Sequence, residues 1–273
     1  MSDISKNRLS RRGILAGLML TGISTLPTHK AWAQANIGRT LIKASHEASR
    51  FSAVRFGARL VLQSEGGPVR TRTISGVSKL GSGGAENARR MRFDSPTDMR
   101  GVSTLTIERS ASADDLWIYL PSLGRVRRLV SSNRRDPWVG SAFSFGDILG
   151  HKVDDWNHAV DGAETIDRVA CTRVVSLPIQ PQIGRDTGYS KRVSWLRSSD
   201  KLLVRSDFYD LTGRRFKQLN QSDFRQVEQG RSQPFRVLMA RTDGSVASLL
   251  QFDTFRVDDG VSSADVAPEA LRL

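Results

Sequence analysis

"AVRFGARLVLQ", residues 53–63, decides how the rest of the chain is to be read. Val54, Phe56, Ala58, Leu60 and Leu62 alternate with Arg55, Gly57, Arg59 and Val61. A period of two puts one apolar and one largely polar face on a β-strand. "GGP" at 66–68 turns the chain, and "VRTRTISGVS" reads as the returning strand.

The same rhythm runs outward from this stretch. "NARRMRFDSP" and "GVSTLTIERS" read as two further strands beyond a glycine-rich loop at 81–86. In "DDLWIYLP" both faces are apolar, with Leu116, Ile118 and Leu120 on one and Trp117 and Tyr119 on the other. Such a strand is covered on both sides. Further strands are expected at "RVACTRVVSLP", "YSKRVSWLR", "KLLVRSDFYD", "RRFKQLNQSDF", "PFRVLMAR" and "SVASLLQFDTFRV". The turns "RSSD", "DLTG" and "RTDG" join them. Only residues 37–49 keep a helical period, with Ile37, Leu41, Ile42 and Ala48 sharing a face. The expected fold is mainly β, with roughly ten antiparallel strands and a few short helices, and so large a sheet must curl or close.

The N-terminus reads as an address. A basic start with Arg11-Arg12 precedes thirteen mostly apolar residues, Ile14 to Leu26, and "AWA" then offers small residues at Ala31 and Ala33. The run is shorter than the about 20 residues that cross a bilayer. The arginine pair and Lys30 fit a twin-arginine export signal, cut between Ala33 and Gln34. Residues 1–33 are thus expected to be a leader and 34–273 a single soluble periplasmic domain. No Cys stands at the cut for lipid attachment; the one Cys, Cys171, lies in a strand-like run and reads as a buried thiol.

Loss of the leader removes five basic and one acidic residue and lowers the net charge from +13 to +9. A basic exported protein favours anionic lipid headgroups or acidic protein surfaces. Its arginines are spread along the chain, and export argues against nucleic acid as a partner.

Catalytic constellations are not found. There is no G-x-S-x-G, and "GSGG" at 81–84 has no Lys-Ser/Thr to make a phosphate loop. His151, Asp154, Asp155 and His158 fall at helical spacing, but "DDWNHAVDG" has no apolar helical stripe and reads as a loop entering a strand. No metal, no cofactor and no enzymatic activity are expected.

One region remains: "SNRRDPWVGSAFSFGDIL", residues 132–149, where a basic turn meets an aromatic, glycine-spaced run. With the preceding "SPTDMRG", the "WIYLP" strand and "VRRL", its "GSAFSFGD" forms an ordered series. That series resembles the outer-membrane lipoprotein-sorting family, the relatives of the periplasmic carrier LolA. The likeness extends from about residue 53 to the C-terminus, with one departure: Ala142 stands where the family usually has Asp. The resemblance implies a half-open antiparallel barrel whose apolar concave face is closed by short helices and carries acyl chains. It implies a lipid or lipoprotein cargo, passed from an inner-membrane exporter towards an outer-membrane acceptor with only transient membrane contact. On that reading Trp117, Tyr119, Trp138, Phe143 and Phe145 form the cavity or its lid, with Gly140 and Gly146 at bends. Arg134 and Arg135 lie at the rim, facing a headgroup or a partner. The alternative reading is a periplasmic lipid-sensing regulator of the RseB type.

Overall fold

A computed structural model describes residues 29–84 and 86–273. The basic start and apolar run of the expected leader lie outside the described residues. Helix α1 (His29–Glu47) passes through the expected cut between Ala33 and Gln34.

Thirteen strands follow in two groups. The first holds β1 (Ala53–Ser64), β2 (Arg70–Leu80), β3 (Asn87–Ser95), β4 (Ser103–Ile107), β5 (Asp115–Leu120) and β6 (Arg125–Leu129). The second holds β7 (Trp156–Ile166), β8 (Val169–Pro178), β9 (Lys191–Arg197), β10 (Leu203–Tyr209), β11 (Arg215–Glu228), β12 (Arg231–Arg241) and β13 (Val246–Val257). All join one antiparallel sheet in the order β6-β5-β4-β3-β2-β1-β13-β12-β11-β10-β9-β8-β7. The two end strands do not pair, so the barrel is incomplete, as expected.

The alternation in residues 53–63 works as read. Val54, Phe56, Ala58, Leu60 and Leu62 all enter the largest apolar cluster, while Arg55 and Arg59 point to solvent and bind Asp258 and Asp253. The strand count exceeds expectation because β6, "RVRRL", is charged and mostly exposed, and so carries little alternation. It is an edge strand, where charge guards against pairing with another chain. β7 was expected only as a loop leading into a strand; most of its residues from Ala159 onward are also exposed.

Chain order explains the crossover. The chain leaves one edge of the sheet at β6 and re-enters at the opposite edge, β7. Residues 130–155 must therefore bridge the open side, and they do so as short 3₁₀ turns and helix α2 (Phe145–Leu149). Ser144 caps α2: its Oγ accepts from the Asp147 amide at 3.1 Å, and Asp147 Oδ2 accepts from the Ser144 amide at 2.8 Å. Gly140 takes the left-handed conformation at φ 73°, as the bend expected there requires. Gly146 serves close approach instead, since a Cβ there would lie 3.1 Å from the Arg134 carbonyl oxygen.

α1 lies over the β7 end of the sheet. Gly38 permits this, since an added Cβ would fall 2.7 Å from the His158 carbonyl oxygen on β7. The helix therefore buries Ile42 against Val174 and Leu196 and leaves Ile37 exposed, which shifts the expected apolar face. Helix α3 (Pro181–Thr187) connects β8 to β9. On the opposite face of the sheet, C-terminal 3₁₀ turns at 264–266 and 268–272 bury Val266 and Leu271 with Ala53, Val77 and Leu105.

Candidate functional site

Beneath the crossover and α1 lies a cavity of about 310 Å³, at the small end of the roughly 300–1,000 Å³ typical of ligand pockets. Its lining shows how far the sheet curls. Arg89 on β3 and Arg192 on β9 both face it, although seven strand spacings separate those strands in the sheet order. In a flat sheet that would be roughly 34 Å at the usual strand separation.

The walls divide into two kinds. Phe56, Phe208, Val237, Met239, Leu250 and Phe252 make an apolar floor, contributed by β1, β10, β12 and β13. Phe56 can lie flat there because Gly76 faces it across β1 and β2; a Cβ at Gly76 would be 2.1 Å from the ring. The other part is polar: Ser45, His46, Ser78, Asn87, Ser194 and Ser206 join Arg89, His151 and Arg192.

Electrostatics of the polar part are one-sided. Arg192 stacks on Trp156, with its guanidinium carbon 4.4 Å from the ring centroid. Its Nε is buried without a hydrogen-bond partner, and it has no ion pair among the described residues. Burial lowers the Arg192 pKa to about 10, which leaves it cationic at neutral pH. Arg89 donates to the Ile148 carbonyl at 3.2 Å and is likewise lowered by burial. Glu108, held up by burial, is bound by Arg50. Burial, and then the charge of Arg192, pull His151 down to about 4 and His46 to about 3, so both are neutral at pH 7.

The one carboxylate lining the cavity among the described residues is already committed. Asp147 Oδ2 accepts from Lys217 Nζ at 2.6 Å and its Oδ1 accepts from Tyr189 Oη at 2.8 Å. Burial opposes the Asp147 charge, but Lys217 and His151 outweigh it and hold the carboxyl well below its usual range. Burial and then Asp147 raise the Tyr189 phenol. This network ties α2 to β11 and closes the cover over the sheet.

The structure places the residues singled out in the sequence as follows. Phe143 lines the cavity. Trp138 is fully buried behind it, tilted against Phe93 with its Nε1 donating to Thr104 Oγ1 at 3.3 Å, and Phe145 packs in the same cluster. Trp117 and Tyr119 point to the opposite face, under the C-terminal turns, because Leu116, Ile118 and Leu120 take the cavity-side parity of β5. Arg134 is bound to Asp114, which also forms an ion pair with Lys152 at 3.2 Å. Arg135 is exposed, beside Gly188 at the mouth of a second, shallower hollow that includes Lys217. His158 uses both ring nitrogens, toward Ser176 Oγ at 2.8 Å and the Val153 carbonyl at 2.9 Å, and Asp154 pairs with Arg39. Among the described residues no three His, Cys, Asp or Glu side chains gather as metal ligands. Cys171 is buried, and burial raises its thiol pKa.

A protein-family model described as "Uncharacterized protein" matches residues 85–272. The chain belongs to that family. Its fold is LolA-like, as the solved structures show. A putative outer membrane lipoprotein-sorting protein domain from Vibrio parahaemolyticus superposes with a TM-score of 0.81 at 22% identity, over 88% of this chain and 100% of that one. A DUF1329 family protein from Desulfovibrio piger gives 0.80 at 26% identity, over 87% and 99%. A LolA superfamily protein from Nitrosomonas europaea gives 0.66 at 18% identity, over 85% and 98%. No match was found among curated proteins. No helix among the described residues is long and apolar enough to cross a membrane.

Arg89, His46, Arg192 and Lys217 escaped the sequence reading, and His151 entered it only as a metal-ligand candidate. A signal for two of them was present: Arg89 shares strand parity with Met91 and Phe93, and Arg192 with Ser194 and Leu196. An arginine interrupting an inward row marks a polar point in an apolar chamber.

Proposed function

We propose that the chain is a periplasmic carrier that takes an acyl chain of a lipid or lipoprotein into the cavity under residues 130–155. It shields that chain in transit from an inner-membrane exporter towards the outer membrane. The observation that carries this reading is a cavity of about 310 Å³ with an aromatic and aliphatic floor, inside a LolA-like fold. Each methylene moved there from water contributes about 0.8 kcal/mol, so even a medium-length chain is held firmly. Phe143 and the wall behind it, Trp138 and Phe145, form the cover. Arg135 at the exposed rim meets the partner or the membrane surface. The cargo passes through without chemistry: the cavity carboxylate, Asp147, is held by Lys217 and Tyr189 and has no free partner to activate.

The test is to purify the mature protein from periplasm, extract it with organic solvent, and compare the extract with the native mass. A lipid or acylated peptide at one copy per chain supports the carrier. A ligand-free protein that also refuses added fatty acid overturns it.

A further inference from the structure

The apolar floor explains a chain, but it does not explain two arginines facing the same chamber. The buried polar groups of a packed protein find partners, and buried charges are paired. Here Asp147 is bound by Lys217 and Glu108 by Arg50, while Arg192 keeps an unpartnered Nε and forms no ion pair among the described residues, the charge of Asp147 acting on it only from beyond contact distance. Arg89, on the same lining, finds only a backbone carbonyl as hydrogen-bond acceptor, with the charge of Glu108 acting on it at longer range. The histidines His46 and His151 add no negative charge.

We infer that the polar wall of the cavity at Arg192, with Arg89 adding positive charge elsewhere on the same lining, is an anion site that binds the headgroup of a single-chain anionic amphiphile. The inference rests on the carrier reading and narrows its cargo. A carboxylate or phosphate at the end of an acyl chain supplies Arg192 with a direct acceptor while the chain lies along Phe56, Phe208 and Phe252. The cavity of about 310 Å³ is large enough to take up one medium-length chain. Ser194 and Ser206, whose hydroxyls lie 2.9 Å apart on the same wall, supply further donors near Arg192.

The experiment is calorimetric titration of delipidated protein with dodecanoate, dodecyl phosphate and dodecanol, repeated with Arg192→Gln and Arg192→Lys. At least one anionic ligand is expected to bind roughly tenfold or more tighter than dodecanol, the factor a charge-assisted hydrogen bond supplies at its low end. The better of the two anions names the headgroup. Arg192→Gln removes that preference and leaves dodecanol affinity within about twofold, whereas Arg192→Lys retains part of it. Equal binding of anion and alcohol by the natural protein overturns the anion site and leaves the carrier reading intact. That comparison needs no variant to fold. A loss of both ligands together in a folded Arg192→Gln also overturns it. Failure of all three ligands to bind overturns the carrier reading itself.

Discussion

Asp147 on α2 and Lys217 on β11 form an ion pair at 2.6 Å with both side chains almost wholly buried, 4% and 6% exposed. This contact joins the crossover to the far half of the sheet across seventy residues of sequence. Removing one partner leaves the other as an uncompensated buried charge. Asp147→Asn or Lys217→Met should each cost about 3–5 kcal/mol, and the double variant distinctly less than their sum. Urea unfolding of the four proteins measures it; additive losses would show that the two residues do not depend on each other.

Trp138 and Phe143 should part company. Trp138 is fully buried against Phe93, so Trp138→Ala costs about 3–5 kcal/mol of stability, as for other large aromatic truncations. Phe143 faces the cavity, and Phe143→Ala should weaken lipid capture in a protein that still folds. Paired urea and binding titrations separate the two; equal losses in both assays for both variants would contradict the placement.

Gly76→Ala should fill the cavity from within. The new methyl would meet the Phe56 ring at 2.1 Å, and the ring can give way only into the chamber. Overpacking of this kind costs about 1–3 kcal/mol. Binding of dodecanoate should fall more than stability does, and undiminished binding would place the ligand elsewhere.

Acid should loosen the protein well before its carboxylates protonate. His151 and His46 have folded pKa values lowered to about 4 and about 3, against about 6.5 in the unfolded chain. Between those values the unfolded state binds more protons, so stability falls as pH drops below about 6.5. Asp147 acts in a lower window: its depressed pKa gives stability that is present above about 4 and lost as pH falls further. The urea midpoint should thus decline from pH 7 to 4.5, and His46→Asn with His151→Asn should flatten that decline. A midpoint that stays level in the natural protein would contradict it.

Arg192→Met should stabilise the unliganded protein, since it removes a half-buried cation that has an unpartnered Nε and forms no ion pair among the described residues. A gain of about 1–3 kcal/mol is expected, the usual cost of an unsatisfied buried group. Loss of the Trp156 stacking contact works against this gain. A lower urea midpoint would show that Arg192 is satisfied within the empty fold.

The sheet was legible from residues 53–63 outward, because a half-buried strand writes its two faces directly into alternate residues. β6 was legible only through the resemblance, where "VRRL" matches a family strand, and not from alternation, since an exposed edge strand needs no apolar face. The position of "LWIYL" showed the limit of periodicity: two apolar faces reveal double burial but not which side meets the cavity, and Leu116 with Ile118 took it. The crossover at 132–149 stood out for its aromatics, yet its anchor on Lys217 and the arginines opposite it come from strands far away in sequence. Sheet curling brings Arg89 and Arg192 to one chamber, and curling is set by packing across the whole sheet.

The most direct test of the central claim is diffraction from crystals grown with a terminally brominated dodecanoate, with anomalous data collected at the bromine edge. An acyl chain carried under the crossover puts the bromine peak among Phe56, Phe208, Val237 and Met239. A peak on the outer surface of the sheet, or none at saturating ligand, would contradict it.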